Sequence, residues 1–186
     1  FVDLTAVVPG VTVAKNEGYK TVTSIRGVGN ETNQNAIAAP SVAYHMDGIF
    51  IASPFSLQTD FIDVQRIEVL RGPQGTLFGQ NSTGGAINVI SNKPTTDEQF
   101  SKADITYGDY GMKQLRSSSN FPISDNVSTK LSLSAMTREG FTENLATGQD
   151  LDDAHNLSFR TDWMVDLSDT TSLRIFGQYS SVDRNG

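Results

Sequence analysis

The chain has 186 residues, of which 37% are hydrophobic, and a formal net charge of -7. This length suits one domain or two small ones. The chain contains no cysteine, which excludes a disulfide framework and a thiolate metal site. Its basic residues do not cluster, which argues against a nucleic-acid partner. His45 and His155 lie far apart in sequence, so we expect satisfied polar residues rather than metal ligands.

Residues 1–95 predict a small mixed α+β module built from short, interrupted elements. A short helix is expected to end near Val8, before Pro9-Gly10 breaks the chain. Runs rich in β-branched residues predict strands at 11–14, 21–26, 42–51, 64–70 and 86–91. Polar loops are expected between these strands.

The most informative stretch runs from Ile67 to Asn88 and joins two strand-like runs by a glycine-rich excursion. Pro73 lacks an N–H and ends the first strand. The glycines expected to adopt special turn conformations are Gly72, Gly75, Gly79, Gly84 and Gly85. Neither the Gly-Lys-Ser/Thr of a phosphate loop nor a dinucleotide fingerprint is present. By itself, the stretch also fits a glycine-rich hairpin of an unrelated β domain.

Residues 96–186 alternate between apolar and polar side chains, which predicts antiparallel strands with one apolar face. Further strands are expected at 101–108 and 112–121. The apolar set includes Leu131, Leu133, Leu157, Phe159, Trp163, Leu173, Ile175 and Tyr179. Short connections at 122–126 and 168–171 contrast with a long polar stretch at 139–154. A transmembrane barrel and a soluble antiparallel sandwich explain these strands about equally well.

No apolar run reaches the ~18–20 residues of a membrane helix, whereas outer-membrane strands alternate and escape such a search. The chain starts at Phe1, within the patterned run Phe1-Val-Asp-Leu, and has no initiator Met. We therefore expect it to be a piece of a longer protein.

Five motifs, taken together and in order, resemble the plug domain of TonB-dependent receptors, the energised transporters of the bacterial outer membrane. They are Val8–Val13, Ser24–Gly27, Pro40–Gly48, Val64–Pro73 and Gly84–Ile90. Segments between Gly140 and Arg160 are similar to the first barrel strands of the same family. His45 departs from the hydrophobic or small residue that the family usually has there.

The resemblance implies an α+β plug, residues 1–95, followed by about five antiparallel strands, residues 96–186, of a barrel of about 22 strands. It implies a receptor in the bacterial outer membrane that imports a scarce nutrient, most commonly a ferric siderophore. Oligosaccharide, cobalamin and haem remain open as cargo. The implied partners are the outer-membrane lipid and a TonB-type protein of the inner membrane, which acts on an N-terminal box expected upstream of Phe1.

The family's loops imply candidate site residues. The loops at 14–20, 29–35 and 51–58 are expected to point outward, with Tyr19, Gln34, Phe50 and Phe55 as ligand contacts or, alternatively, as plain loop packing. Arg26, Glu68 and Arg71 are implied to lock the plug to the barrel, because charges at such an interface need partners. Trp163 and Tyr179 are candidates for lipid-facing aromatic girdles.

An enzyme is not expected, because no motif frames a nucleophile, a metal site or paired carboxylates. We expect no cofactor. The acidic run Asp150–Asp153 lacks the glycine and glutamate of a calcium loop, so a solvated loop is expected there. A soluble carbohydrate- or protein-binding β domain would explain the second half of the chain but not the ordered motifs.

Overall fold

A computed structural model of the chain describes residues 4–16, 20–29, 41–52, 61–145 and 147–184. The helices are α1 (Leu4–Val7) and α2 (Gly75–Phe78). The strands are β1 (Val11–Asn16), β2 (Lys20–Ile25), β3 (Val28–Gly29), β4 (Val42–Met46), β5 (Ile49–Phe50), β6 (Val64–Arg71), β7 (Gly85–Ser91), β8 (Phe100–Tyr107), β9 (Lys113–Ser124), β10 (Val127–Arg138), β11 (Thr142–Glu143), β12 (Asp150–Leu151), β13 (Ala154–Ser168) and β14 (Thr171–Asp183). Neither helix is long and apolar enough to cross a bilayer.

The chain divides into two compact units. The first contains residues 1–58 and Val64–Ser91, and the second contains Thr59–Asp63 and residues 92–186. Residues 59–63 thus group with the second unit although they precede β6 in sequence.

The described residues of the first unit form two small sheets. One has the order β1-β2-β3, and the other has the order β5-β4-β7-β6. β4 and β7 run parallel, while β6 and β7 are antiparallel, so the second sheet is mixed. The buried apolar side chains are those of Leu4, Val11, Val13, Ile25, Val42, Ala43, Tyr44, Ala86, Ile87 and Val89. This packing accounts for the short β-rich runs, each of which turns its apolar residues into a common core.

The prediction of one strand over 42–51 is wrong, because β4 and β5 form a hairpin. Asp47 and Gly48 make the turn, with φ of 50° and 82°. Asp-Gly is a preferred pair for a two-residue hairpin turn, since both central residues need positive φ. The Asp47 carboxylate also accepts hydrogen bonds from the Ser91 backbone N at 3.0 Å and the Ser91 hydroxyl at 2.8 Å. The turn is thereby fastened to the end of β7.

The second unit is built on a five-stranded antiparallel sheet with the order β14-β13-β10-β9-β8. β9 continues to Ser124, so the predicted strand end at residue 121 is wrong. Pro122 pairs with Ser128 while Ser124 pairs with Val127, which leaves Ile123 as the extra residue of a bulge. A bulge tolerates a proline that cannot donate to the ladder. The predicted polar stretch at 139–154 contains the small hairpin β11–β12.

Burial in this five-stranded sheet is inverted relative to a water-soluble sheet. Apart from Ala154, its buried side chains are polar or charged and include Asn120, Ser128, Lys130, Ser132, Ser134, Asn156, Ser158, Arg160 and Asp162. Its exposed side chains are large and apolar and include Ile105, Leu115, Leu131, Leu157, Phe159, Trp163, Leu173, Ile175 and Tyr179. Such a face meets lipid in a transmembrane barrel, whereas in a soluble sandwich it would be the core.

Candidate functional site

The glycine-rich excursion closes the β6–α2–β7 hairpin by very close backbone approach. A Cβ on Gly85 would lie 2.3 Å from the Leu70 carbonyl oxygen and 2.8 Å from the Ile25 Cδ1. A Cβ on Gly84 would lie 2.8 Å from the Val28 carbonyl oxygen. Real side chains do not fit at such distances, so glycine is needed at both positions.

The remaining turn glycines fall into two kinds. Gly72 and Gly79 have φ of 87° and 73°, a backbone region that disfavours residues with a Cβ. Gly75 begins α2, and an added Cβ there meets nothing within 4 Å. The sequence analysis missed the helical turn α2, because four residues are too few to show a helical period.

The excursion is also held by its own hydrogen bonds. The Gly72 N donates to the Gly84 carbonyl oxygen at 3.1 Å, and the Gln74 N donates to the Ser82 carbonyl oxygen at 3.0 Å. The buried Ser82 hydroxyl donates to the Gly79 carbonyl oxygen at 2.7 Å. These bonds satisfy backbone groups that leave the β ladder at the end of β6. The loop therefore has a defined, hydrogen-bonded conformation within the first unit.

Phe50, one of the candidate ligand contacts, belongs to a cluster of rings in the first unit. Its ring centroid lies 5.5 Å from that of His45, which in turn lies 4.9 Å from that of Phe78 in an edge arrangement. His45 is 6% exposed, and burial lowers the pKa of its imidazole. Its Nδ1 has no hydrogen-bond partner in the described part of the chain. Burial likewise raises the pKa of the neighbouring Tyr44 to about 12.

Sequence reasoning noted His45 as a departure from the family pattern and missed Phe78. Its expectation that His45 is a satisfied polar residue is wrong for Nδ1, which has no hydrogen-bond partner among the described residues. The departure was the available signal, since a histidine within an apolar strand requires an unusual neighbourhood. Phe50 is half-buried, so one part of its ring packs inside the plug while the rest stays accessible. Tyr19, Gln34 and Phe55 lie outside the described residues, as do most of their loops.

The three candidate locking residues lie on the first unit. Glu68 accepts hydrogen bonds from the Arg66 Nε at 2.8 Å and from the Asn88 Nδ2 at 3.0 Å. Those bonds, led by the one from Arg66, hold the pKa of the Glu68 carboxyl below its usual range. Arg26 is exposed in the turn after β2, and Arg71 is exposed at the end of β6. Their role in locking the plug stays a prediction.

A charged cluster lies on the buried polar face of the second unit. The Asp162 carboxylate accepts from the Arg174 Nε at 2.9 Å and from the Arg160 Nη2 at 3.2 Å. The Arg160 guanidinium also stacks 4.3 Å from the Phe176 ring centroid. Buried charged groups need both an oppositely charged partner and hydrogen bonds, and this cluster supplies both. A wall with paired internal charges is the polar interior that a wide barrel requires.

Trp163 and Tyr179 lie on the exposed apolar face of the same sheet, with 41% and 64% of their surface accessible. The indole Nε1 of Trp163 donates to the Thr161 hydroxyl at 3.1 Å. A ring that exposes an apolar body and satisfies its polar group suits a membrane interface. Among the described residues, no three His, Asp or Glu side chains gather as a metal site.

Comparison with known proteins agrees with this geometry. Residues 1–86 match the family described as the TonB-dependent receptor plug domain. The pesticin receptor of Yersinia pestis is 32% identical over 152 residues, which are 79% of this chain and 21% of that protein. The metal-pseudopaline receptor CntO of Pseudomonas aeruginosa is 27% identical over 105 residues, which are 55% of this chain and 14% of that protein. The chain thus spans about a fifth of these curated relatives or less.

Solved structures show the same likeness across both units. The ferric yersiniabactin uptake receptor FyuA of Yersinia pestis superposes with a TM-score of 0.82 and 25% identity, over 96% of this chain and 28% of that one. The ferric-catecholate import receptor Fiu of E. coli K12, at a TM-score of 0.71 and 19% identity, covers 97% of this chain and 24% of that one and shows the fold alone. The predicted family and fold class are confirmed. The chain belongs to the TonB-dependent receptors of the bacterial outer membrane and carries a plug domain followed by antiparallel barrel strands.

Proposed function

We propose that the protein to which this chain belongs imports a ferric siderophore across the outer membrane. Two relatives support this choice of cargo. FyuA is described as a ferric yersiniabactin uptake receptor, and CntO is described as a metal-pseudopaline receptor. The proposed energy source is a TonB-type protein of the inner membrane, in keeping with the family.

The observation that carries the proposal is one chain that holds both a plug and a sheet with inverted burial. A plug alone would leave the transport path undefined, and a β-sheet alone would fit many binding proteins. The exposed face displays Leu131, Leu157, Phe159, Leu173 and Ile175 among others. Burial of each such side chain is worth about 1.5–3 kcal/mol, so a water-soluble sheet would hide them. The soluble binding domain is therefore disfavoured.

Proposed ligand contacts are Tyr19, Gln34 and Phe55, on loops that the family turns toward its cargo, and Phe50, at the end of β5. Phe50 offers an aromatic edge that is already positioned by His45. Aromatic rings bury much apolar area with few rotatable bonds, which suits them to hold a rigid chelate. The candidates for plug retention remain Arg26, Glu68 and Arg71, which carry the charge for a pairing of that kind.

The test of function uses the full-length protein in its own bacterium. Its abundance in outer membranes is compared with and without iron starvation, and uptake of labelled ferric siderophores is measured with and without the TonB-type protein. Induction by iron starvation together with TonB-dependent uptake would support the proposal. Constant abundance and no uptake of any siderophore would refute it and direct the search to oligosaccharides, cobalamin or haem.

The role of Phe50 has a matched control in Phe78, since both rings pack on His45. Phe50→Ala should weaken binding of the cargo by about tenfold, as loss of an aromatic contact does in other sites. Phe78→Ala should alter packing only and leave cargo affinity near that of the parent. Equal affinities in the two variants, measured by titration of the purified receptor, would assign Phe50 to packing.

A further inference from the structure

The exposed apolar face of the second unit contains a groove near one end of its five-stranded sheet. The floor of the groove is the half-buried Ala135 on β10, which pairs in register with Leu115 on β9 and Leu157 on β13. Both leucines are exposed and larger than alanine, so they form the walls. Ile105 on β8 and Tyr179 on β14 extend these walls. The groove has a volume of about 600 Å³, within the range of sites that hold small ligands.

The next row of side chains on the same face is polar and closes one end of the groove. Each member pairs in register with the next across the sheet, in the order Tyr107, Lys113, Thr137, His155 and Asp183. All of these side chains are exposed. The Thr137 hydroxyl and the His155 Nδ1 lie 3.0 Å apart and share a hydrogen bond in the middle of the row. The groove therefore has an apolar body and a polar end.

The polar row lies at the end of the sheet that faces the outside of the cell. The connections at the opposite end, 125–126 and 169–170, are short, whereas the long connection 139–153 leaves from the end with the polar row. Transmembrane barrels have short turns toward the periplasm and longer loops outside. From Thr129, near the short turns, to Thr137, a tilted strand rises by about 20 Å, close to the height of the apolar band of such barrels. The row is thus at the level of the lipid headgroups of the outer leaflet.

The charges around this row have both signs and occupy separate places. Among the described residues, Lys113 has no ion-pair partner. Asp183 lies three strands away on β14, and the Asp153 Oδ2 lies 3.9 Å from the His155 Nε2. The Glu139 carboxylate lies beside the turn between β8 and β9. A purely anionic headgroup would be attracted by the lysine but repelled by the carboxylates, whereas a headgroup with both a phosphate and an ammonium matches both signs.

We propose that the groove binds one outer-leaflet lipid with a phosphoethanolamine headgroup. Its acyl chains fill the groove above Ala135, and its phosphate accepts hydrogen bonds from the Lys113 ammonium and the Tyr107 hydroxyl. Its ammonium lies over His155, toward Asp183. Adjacent strands are about 4.8 Å apart, which is comparable with the separation of the two charges in this headgroup. The groove continues a face that already meets lipid in a transmembrane barrel, and the proposal does not depend on the cargo.

The experiment uses the full-length receptor, purified in detergent, and native mass spectrometry of its complexes with dioleoyl lipids. Phosphatidylethanolamine carries both charges, phosphatidylglycerol carries the phosphate alone, and dioleoylglycerol carries neither. The variants are Lys113→Gln, Asp183→Asn and Ala135→Phe. Lys102→Gln and Asp104→Asn are the matched controls, since both residues are exposed on β8 and alternate onto the opposite face. Heat-modifiable mobility in gels first establishes that each variant is folded.

The parent should bind phosphatidylethanolamine about two- to fivefold more tightly than either of the other lipids, as expected for exposed ion pairs. Lys113→Gln should reduce its preference over dioleoylglycerol, because the phosphate loses its cation. Asp183→Asn should remove the preference over phosphatidylglycerol, because the ammonium loses its carboxylate. Ala135→Phe fills the groove without any change of charge and should weaken binding of all the lipids. Both controls should match the parent.

Several results would overturn the proposal. One is equal binding of all the lipids by the parent, and another is a Lys113→Gln receptor that binds them as Lys102→Gln does. Displacement of the lipid by soluble phosphoethanolamine would show that the headgroup alone binds and that the apolar groove is not used. A mass of two receptor copies that Ala135→Phe abolishes would assign the groove to a second copy of the chain. Siderophore uptake is a separate measurement, and its failure would leave the lipid result unchanged.

Discussion

The strands of the two units bury opposite kinds of side chain. In the first unit, Val42, Ile87 and Val89 are at most 2% exposed and form the core. In the second, Phe159 is 43% exposed while its neighbour Arg160 is 3% exposed. Alternation determines which side chains share a face of a sheet, but the surrounding medium determines which face is outside. The first unit has the burial pattern of a domain surrounded by water, whereas the second has that of a sheet with one face toward lipid.

The largest effect is expected where the first unit is most tightly packed, at Gly85. Gly85→Ala places a methyl group 2.3 Å from the Leu70 carbonyl oxygen at a residue with φ of 150°. The hairpin has to open to accept it, so we expect a loss of about 4 kcal/mol or more in the stability of the plug. Limited proteolysis of the full-length receptor should cut the plug of this variant much faster than that of the parent.

Gly75→Ala is the control for that change, because its Cβ meets nothing within 4 Å and the residue begins a helical turn. It should be neutral or stabilise by up to about 1 kcal/mol through lower chain entropy in the unfolded state. Similar protease sensitivity in the two alanine variants would show that close approach is not what the glycines serve.

Phe159→Arg tests whether the exposed apolar face of the second unit contacts lipid. Phe159 lies within the long strand β13 and points to the exposed apolar face. An arginine facing lipid near the middle of the bilayer costs about 2–4 kcal/mol, so folded receptor in the outer membrane should decrease. Heat-modifiable mobility in gels measures the folded fraction.

Thr171→Arg serves as the companion variant, since Thr171 is exposed beside the β13–β14 turn. There the new charge stays in water, and assembly should be unchanged. If Phe159→Arg assembled equally well, the apolar face would not be in contact with lipid, and the contrast between the units would be lost.

Sequence alone predicted the family, the mixed plug and the alternating strands, because each rests on a local pattern. It failed at 42–51, where the apolar residues on both sides of the turn at Asp47-Gly48 were taken for one strand. It also ended β9 too early, because the proline rule applies to regular ladders and Pro122 sits at a bulge.

The buried ion pair of Lys130 and Asp63, whose Nζ and Oδ2 lie 2.6 Å apart, shows a second limit. It joins residues that no local pattern connects, so only the folded chain reveals it. Of the ligand contacts that were chosen by resemblance to the family, Phe50 packs against His45 in the structure. The other three, Tyr19, Gln34 and Phe55, lie outside the described residues.

Within the first unit, the missed turn offers a test of intermediate size. Asp47→Ala removes the acceptor for the Ser91 N and hydroxyl and places alanine at φ of 50°. Stability of the plug should fall by about 1–3 kcal/mol. Asp47→Asn keeps an acceptor oxygen and suits the turn, so it should lose less. Equal losses in the two variants, measured by denaturant titration of the full-length receptor, would show that neither the bond nor the turn geometry matters.

The smallest expected effect comes from acidification of the ring cluster. Burial lowers the pKa of His45, so the unfolded chain binds a proton more readily than the plug does. The plug is therefore unaffected above the ordinary value of about 6.5 and loses stability as pH falls below it, through the lowered folded pKa. Thermal unfolding of the parent and of His45→Phe is compared at about pH 8 and about pH 5. The variant retains an aromatic ring between Phe50 and Phe78 but has no proton to bind, so its unfolding should depend less on pH. An identical dependence in both proteins would mean that the plug accommodates a charged imidazole, and that its interior is more polar than its packing indicates.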